Sequence, residues 1–477
     1  MSNNQDLHAK QILLDPVAQF CAQYPDAEVD KKARVSELWS LMQVLKKQSE
    51  DVQLQTKIIS RKIGEAKKKN QPTDELMQAI QAQSIECKSV KLELQNVEKQ
   101  ILFFFDSSGS REISEKKSSD AAINSRYTSS DSDLDKITID LLDKEDKVWN
   151  DYVEKHPAAT IHHLTQWRDI LRKTYGIESF NFLAQDSFQK VVGILPLVRL
   201  KSRLFGDLLV SMPYFQRGGA IADHPLIEKA LIQAANEKAA QLGIEHIEYR
   251  DDIPREELPV QSHKVNMVLS LPDSEEALWN NFSPKLRAQI KRPQRQEPTI
   301  HIGGKEYLSD FYKVYSRNMR DLGSPAHSRL FVENILDAFP GQSWIIVIHM
   351  NNVPVSAGLL LGYNDTMEIP LASTIRQANA HSMNMLLYWE VLKMAVRHGY
   401  KYFDFGRSSK DAGTYRFKRQ WGAEPRQLYW HYWLGNAGEL PSLNPSNPKY
   451  ALIINIWKKL PVRLTQWLGP LVVKNIP

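Results

Sequence analysis

Residues 402–430 read YFDFGRSSKDAGTYRFKRQWGAEPRQLYW. Tyr402-Phe403-Asp404-Phe405 has the composition of a buried strand, with Gly406 as its end. A polar loop follows over 407–413, and then a short segment to Trp421 that suits one or two helical turns with Thr414 as N-cap. Arg407, Lys410, Arg416, Lys418 and Arg419 therefore crowd one strand-loop-helix unit beside Asp404, Asp411, Phe405, Phe417 and Trp421. Two readings fit that composition. Cations beside aromatic side chains suit a partly dry site that holds a phosphate or a developing oxyanion. They also suit a solvated basic loop lying against core aromatics, the reading that composition alone favours. Asp404, at the strand end, either accepts an amine proton or pairs with Arg407.

Upstream, strand-like 190–200 and 207–212, helical 226–242, and strand-like 244–250 and 264–271 form a first mixed unit. A second repeats the order: a strand at 299–302, helices near 305–320 and 328–338, a hairpin of 343–350 and 353–361 across Asn351-Asn352, and a helix over 381–398 that leads into the opening stretch. The expected fold class is α+β, two GNAT-like domains in tandem over 138–295 and 296–437. Near the end of the first domain, Pro284-Lys285-Leu286-Arg287-Ala288-Gln289-Ile290-Lys291 places Arg287 and Lys291 one helical turn apart. That spacing suits a pyrophosphate or nucleic-acid backbone, or a capped and solvated helix.

The first 105 residues have a different period. From Val35 the positions 35, 38, 42, 45, 49, 52, 56, 59, 63 and 66 form a heptad seam, and 76, 80, 83, 87, 90, 94, 97 and 101 form a second. Between them Lys69-Asn70-Gln71-Pro72 interrupts the helix, so a long antiparallel helical coiled-coil hairpin is expected, with Arg61, Lys62, Lys67, Lys68 and Lys69 towards its tip. Residues 106–137 are Ser-rich and of mixed charge, the composition of a disordered tether. In the extension 438–477, apolar residues are interrupted by Lys458, Lys459, Pro461 and Arg463. It is too short to span a bilayer and reads either as a cover over the body or as a peripheral contact at a membrane surface.

The whole chain has 477 residues, 42% hydrophobic and 25% charged, with 61 Lys+Arg against 56 Asp+Glu and a net charge of +5. That excess does not demand nucleic acid, so local clusters carry the argument. Only Cys21 and Cys87 occur, without metal spacing, which predicts reduced thiols in a cytoplasmic protein and no disulfide. His156, His162 and His163 lack a carboxylate or Cys at ligand spacing and read as structural; no metal is expected.

Two resemblances add to this reading. Leu14-Asp15-Pro16 and Ile59-Ser60-Arg61-Lys62-Ile63-Gly64-Glu65-Ala66-Lys67-Lys68-Lys69 resemble the tRNA-binding arm of seryl-tRNA synthetases. From Val148-Trp149 onward the chain resembles the bacterial FemAB-related proteins, particularly the exosortase/PEP-CTERM and exopolysaccharide-associated subgroup. The motifs are His163-Leu164, Val192-Gly193-Ile194-Leu195-Pro196-Leu197, Ser202-Arg203-Leu204-Phe205-Gly206, Gly218-Gly219, Phe403-Asp404-Phe405-Gly406-Arg407-Ser408, Phe417-Lys418 and Asn444-Pro445-Ser446-Asn447-Pro448-Lys449-Tyr450. Met212 to Arg217 and Lys410-Asp411-Ala412 depart from that subgroup.

The resemblance implies an acyltransferase that moves an aminoacyl group, seryl if the arm's ancestry is informative, from aminoacyl-tRNA to a peptidoglycan- or exopolysaccharide-related precursor. Lys418, Phe417 and Asp404 become the expected catalytic residues, and Arg407, Arg416, Arg287, Lys291 and Trp421 the substrate contacts. Arg61, Lys62 and Lys67 to Lys69 become the tRNA contacts. No cofactor is implied beyond the donor. Two alternatives stand: a CoA- or carrier-dependent N-acyltransferase, with acyl-CoA as donor, and a non-catalytic tRNA-binding adaptor. The run Arg61 to Ala66 also matches an acetyl-CoA pyrophosphate loop, but it lies inside heptads rather than after a strand.

Overall fold

The computed structural model describes residues 17–18, 29–68, 79, 80, 83, 90, 94, 97, 101, 137–142, 146–202, 206–255, 257–410, 412–435, 440 and 448–477. The chain divides into two compact units, 1–122 and 123–477. Residues 106–136 of the expected tether, the helix break, Lys69, Asp411, 203–205 and 444–447 lie outside the described residues.

In the first unit a single helix, α1 (Val29–Lys68), runs for 40 residues, about 60 Å at the helical rise. Its first seam faces inward: Val35, Leu38, Met42, Leu45, Ser49, Val52 and Ile63 are buried, while Leu41, Val44, Leu54 and Ile58 lie exposed off the seam. Positions 79, 80, 83, 90, 94, 97 and 101 are also helical. Val90, Val97 and Ile101 share one apolar cluster with Val35, Leu38, Met42 and Leu45. The two sequence seams therefore meet, as residues recurring every three to four positions on one helix face can.

The second unit contains β1 (Thr138–Leu141), α2 (Asp146–Lys155), α3 (Gln166–Tyr175), β2 (Ser179–Gln185), β3 (Val191–Ser202), β4 (Gly206–Val210), β5 (Ile221–Ala222), α4 (Pro225–Gln241), β6 (His246–Asp251), β7 (Val260–Gln261) and β8 (Lys264–Ser270). There follow α5 (Glu275–Asn281), α6 (Pro284–Lys291), β9 (Thr299–Gly303), α7 (Leu308–Leu322), α8 (Arg329–Ala338), β10 (Ser343–Met350), β11 (Val353–Tyr363), β12 (Thr366–Thr374), α9 (Arg376–Asn379), α10 (Met383–Arg397) and β13 (Tyr402–Ser409). The chain ends with α11 (Gly413–Arg419), β14 (Glu424–Gln427), β15 (Tyr429–Leu434), α12 (Pro448–Trp457) and α13 (Val462–Val473).

This is the expected α+β class, built on two sheets. The first has the order β1-β2-β3-β4-β6-β15-β7, with β5 on β3, and the second β14-β8-β13-β12-β11-β10-β9. A cut between 295 and 296 separates neither sheet cleanly. Strand β8 lies in the second sheet beside β13, and β15 returns to the first beside β6. The hairpin of β10 and β11 turns on Asn351 and Asn352 at φ 52° and 61°, the left-handed pair that a tight hairpin turn requires. Helix α11 begins at Gly413 with Ala412 as its cap residue, so Thr414 lies inside it rather than capping it.

One apolar core runs from Ile194 and Val210 of the first sheet through Trp149, Trp167 and Phe215 to Ile346, Met367 and Phe403 of the second. A further core fills the space between the first sheet and α4, around Leu195, Leu231 and Tyr249. The continuous core fixes the two sheets against each other, and the candidate site lies where they meet.

Candidate active site

Strand β13 pairs in parallel with β12 at only three positions, Thr366 with Tyr402, Met367 with Phe403 and Glu368 with Asp404. Beyond that point the strands part. The register of β13 against β8 also shifts between Asp404 and Arg407, and Gly406 there has φ +77°. A bulge of this kind removes backbone groups from the ladder and re-aims them. Glycine is suited to the position because a side-chain residue is strained at that φ.

Lys418, on α11, occupies the opening so formed. Its Nζ donates to the carbonyls of Gly406 at 3.0 Å and Arg407 at 2.9 Å, which uses two of its three protons and leaves one for a ligand. The side chain is buried. Burial lowers its pKa to about 8, with Asp404 opposing the shift and Arg407 adding to it.

Asp404 is 1% exposed. Its Oδ1 accepts from the Gly406 N–H and its Oδ2 from Asn266 Nδ2, each at 2.6 Å. Arg217 reaches it from the first half of the body, with Nη2 3.7 Å from Oδ2. Burial opposes the Arg217 charge, but Asp252, Asp404 and Glu368 together outweigh it and raise the pKa. Beside Asp404, Glu368 Oε1 lies 2.9 Å from His162 Nε2, and the His162 ring stacks on Phe215 at 4.2 Å. Two carboxylates, two cations and an imidazole thus converge from β12, β13, α11 and two first-half loops.

The first sheet has a similar parting, which its own chain fills. There β4 pairs in parallel with β6 over Leu208–Val210 and His246–Glu248. The following loop closes the gap: Gly218 and Gly219 donate to the Arg250 carbonyl at 3.2 and 3.1 Å, and Ser211 Oγ accepts from the Arg250 N–H at 2.7 Å. The Arg250 guanidinium, held by Glu248 at 2.7 Å, donates to the Phe215 carbonyl. Below this loop Arg255 bridges Asp251 and Glu228, each at 2.9 Å. Such a satisfied buried network rigidifies one wall of the site.

Of the residues expected from sequence, Lys418 and Asp404 both bond the Gly406 backbone, Lys418 at its carbonyl and Asp404 at its N–H, without pairing with each other. Arg407 lies near them but does not pair with Asp404. Its guanidinium is over the Trp430 ring at 5.1 Å, the same ring that Arg250 approaches at 4.5 Å. Phe417 is half-buried with its ring 5.1 Å from Tyr388. Trp421 is a core residue, 1% exposed against Phe282 and Tyr388, and so is no ligand contact. Arg416 is exposed on α11. Arg287 is half-buried on α6, and the Lys291 ammonium lies 5.5 Å from the Trp279 ring. Among the described residues no hydrogen bond or ion pair joins either of them to Lys418. In the first unit Arg61 pairs with Glu65 at 3.0 Å on an exposed face, and Lys62 is exposed.

His163 and His156 are structural, bonded to the carbonyls of Gly219 at 3.1 Å and Ala222 at 3.2 Å. His162 differs, because its carboxylate comes from a strand 206 positions away. No local pattern marks Arg217 or Asn266 either, although Arg217 falls in the run that departs from the FemAB subgroup. Among the described residues no three His, Cys, Asp or Glu side chains are placed to hold a metal ion.

Residues 281–419 match the family model described as an acetyltransferase (GNAT) domain, a span that includes Glu368, Asp404 and Lys418. Among solved structures the chain is similar to FemX, at 14% identity and TM-score 0.49 over 66% of this chain and 100% of that one. It is also similar to L-PGS from Bacillus licheniformis, at 14% identity and TM-score 0.43 over 67% and 98%. A tandem GNAT protein from the clavulanic acid biosynthesis pathway is 13% identical, with TM-score 0.38 over 64% and 100%. No curated protein matches the chain.

Proposed function

We propose that this chain is a Fem-type acyltransferase that moves an aminoacyl group from aminoacyl-tRNA to an amine of a cell-envelope precursor, with Lys418 as the oxyanion donor. The observation that carries the reading is the buried Lys418 ammonium, held by two bulge carbonyls where β12 and β13 part. The acceptor amine attacks the ester carbonyl and a C–N bond forms. The third Lys418 proton then faces the oxyanion, and the ester C–O bond breaks as the ribose hydroxyl leaves with a proton. A donor fixed before the reaction in a water-poor site acts without reorganisation, which is why such groups contribute several kcal/mol. Asp404 supports Lys418 electrostatically, while Arg407 and Lys264, on the side of the bulge away from Asp404, suit the phosphates of a donor.

The seam of α1, its exposed Arg61 and Lys62, and the arm's resemblance support tRNA as the group carrier, seryl-tRNA first. The reaction would then take place at the inner face of the membrane, where envelope precursors are assembled. The GNAT description of 281–419 favours the second reading, acyl-CoA as donor. Incubating the chain with charged seryl-tRNA, and separately with acyl-CoA, each with envelope precursors, distinguishes the two. Consumption of seryl-tRNA only when precursor is present is the expected result. Consumption of acyl-CoA alone transfers the chain to the second reading, and tRNA binding with neither donor consumed makes it an adaptor.

A further inference from the structure

Helix α13 carries apolar residues on two faces. Thr465, Gly469 and Val473 are buried against the body. At Gly469 the fit is so close that a Cβ would stand 2.8 Å from the Ala326 carbonyl. Gln466 donates to Ser316 Oγ at 2.9 Å, and the Lys474 carbonyl accepts from Tyr214 at 3.0 Å. The packing therefore fixes which side of the helix faces out. On that outer side Leu464, Trp467 and Leu471 are 38%, 67% and 52% exposed, and on α12 Ile453 and Ile456 are 57% and 54% exposed. A helix face in water ordinarily carries polar residues, and a contiguous apolar patch marks an interaction surface.

Within the C-terminal segment itself the charge has one sign. Residues 448–477 contain Lys449, Lys458, Lys459, Arg463 and Lys474 and no Asp or Glu, a local charge as large as the net +5 of the whole chain. Lys458, Lys459 and Arg463 are exposed at the corner between the two helices. Nearby Asp321 is engaged by Arg320 at 2.7 Å, whose other arm donates to the Leu460 carbonyl at 2.9 Å. Among the described residues no helix is long and apolar enough to cross a membrane.

We propose that α12 and α13 form a docking surface for an anionic lipid bilayer and lie in its interface, with Trp467 at the headgroup level and the Lys458-Lys459-Arg463 corner against acidic headgroups. The anchored cover then presents the body to a lipid surface. An apolar stripe with a tryptophan binds the acyl boundary, and a cationic rim confers preference for anionic lipid.

The test is cosedimentation of the full chain with vesicles of phosphatidylglycerol and phosphatidylcholine, or of phosphatidylcholine alone, without tRNA or acceptor, so that its outcome is independent of the catalytic reading. Binding to anionic vesicles that weakens as salt rises is expected. The triple variant Lys458→Glu/Lys459→Glu/Arg463→Glu and the double variant Trp467→Ser/Leu471→Ser should each lose about tenfold or more in partitioning, with unchanged circular dichroism. Undiminished binding by both variants would place the contact elsewhere, in the arm for instance, and overturn the proposal. So would failure to bind anionic vesicles, or a dimer in light scattering that Trp467→Ser/Leu471→Ser dissociates, since the patch would then belong to a second copy.

Discussion

The Lys418 ammonium donates to the carbonyl of Gly406 at 3.0 Å, and that carbonyl is available because Gly406 turns out of the ladder at φ +77°. One residue sets the direction of the acceptor and the other brings the charge. Together they place a proton donor where two parallel strands separate.

Replacing Lys418 by Ala should therefore lower kcat by about 100-fold or more, since one lost oxyanion donor costs roughly 2.7 to 4 kcal/mol. Lys418→Arg should restore little, because a planar fork cannot occupy the place of a compact ammonium. Single-turnover kinetics with the identified donor measure both. Wild-type turnover in Lys418→Ala would reduce the basic loop to a solvated face.

The pH dependence of activity and of stability should run in opposite directions. The folded pKa of Lys418 is lowered to about 8 from an ordinary 10.5. Activity that needs the ammonium falls as pH rises through about 8. Between that pH and 10.5 the unfolded chain binds more protons than the folded one, so stability rises with pH. Relative to Lys418→Met, the wild type should gain up to about 3 kcal/mol over that window. Denaturant titrations of both proteins at pH 7 and pH 10 test the sign; a constant difference would mean an unshifted lysine.

Gly406→Ala isolates the bulge. The nearest atom to an added Cβ is Lys418 Nζ at 4.0 Å, so the substitution strains φ without a clash. It should cost about 1–2 kcal/mol of stability and lower kcat as well, because relaxing φ turns the carbonyl away from Lys418. A loss of stability with an unchanged pH–rate profile would separate the bulge from the chemistry.

His162 and Glu368 join the two halves beside the site at 2.9 Å. His162→Ala and Glu368→Gln should each lower stability. In a double-mutant cycle they should couple by about 0.5–3 kcal/mol, as contacting residues do and distant ones do not. Strict additivity would mean that the pair does not hold the halves together.

Deleting 30–104 should abolish tRNA binding whose affinity falls steeply with salt, as phosphate contacts that release counterions do. A filter-binding titration of the deleted chain that matches the full chain would remove tRNA contact from the arm.

The sequence by itself determined the local elements and their inward faces. The seam through Val35, Leu38, Met42 and Leu45 is buried as its spacing predicts, and the Asn351-Asn352 hairpin follows from turn chemistry. Periodicity works here because each pattern repeats within one element and so depends on that element alone. The strand-loop-helix unit that holds Gly406 and Lys418 twelve positions apart was legible for a related reason, whereas the role expected of Lys418 came from the resemblance of Phe417-Lys418. Tertiary structure alone decided the rest. Asp404 takes Asn266 across 138 positions and Glu368 takes His162 across 206, while β8 joins the second sheet although β7 just before it lies in the first, and β15 joins the first although β14 just before it lies in the second. Trp421 is buried although the exposed cations Arg416 and Arg419 lie just before it in the chain. Such pairings depend on strand order, on register and on which apolar faces close over one another, and those are fixed only when the two sheets share a core.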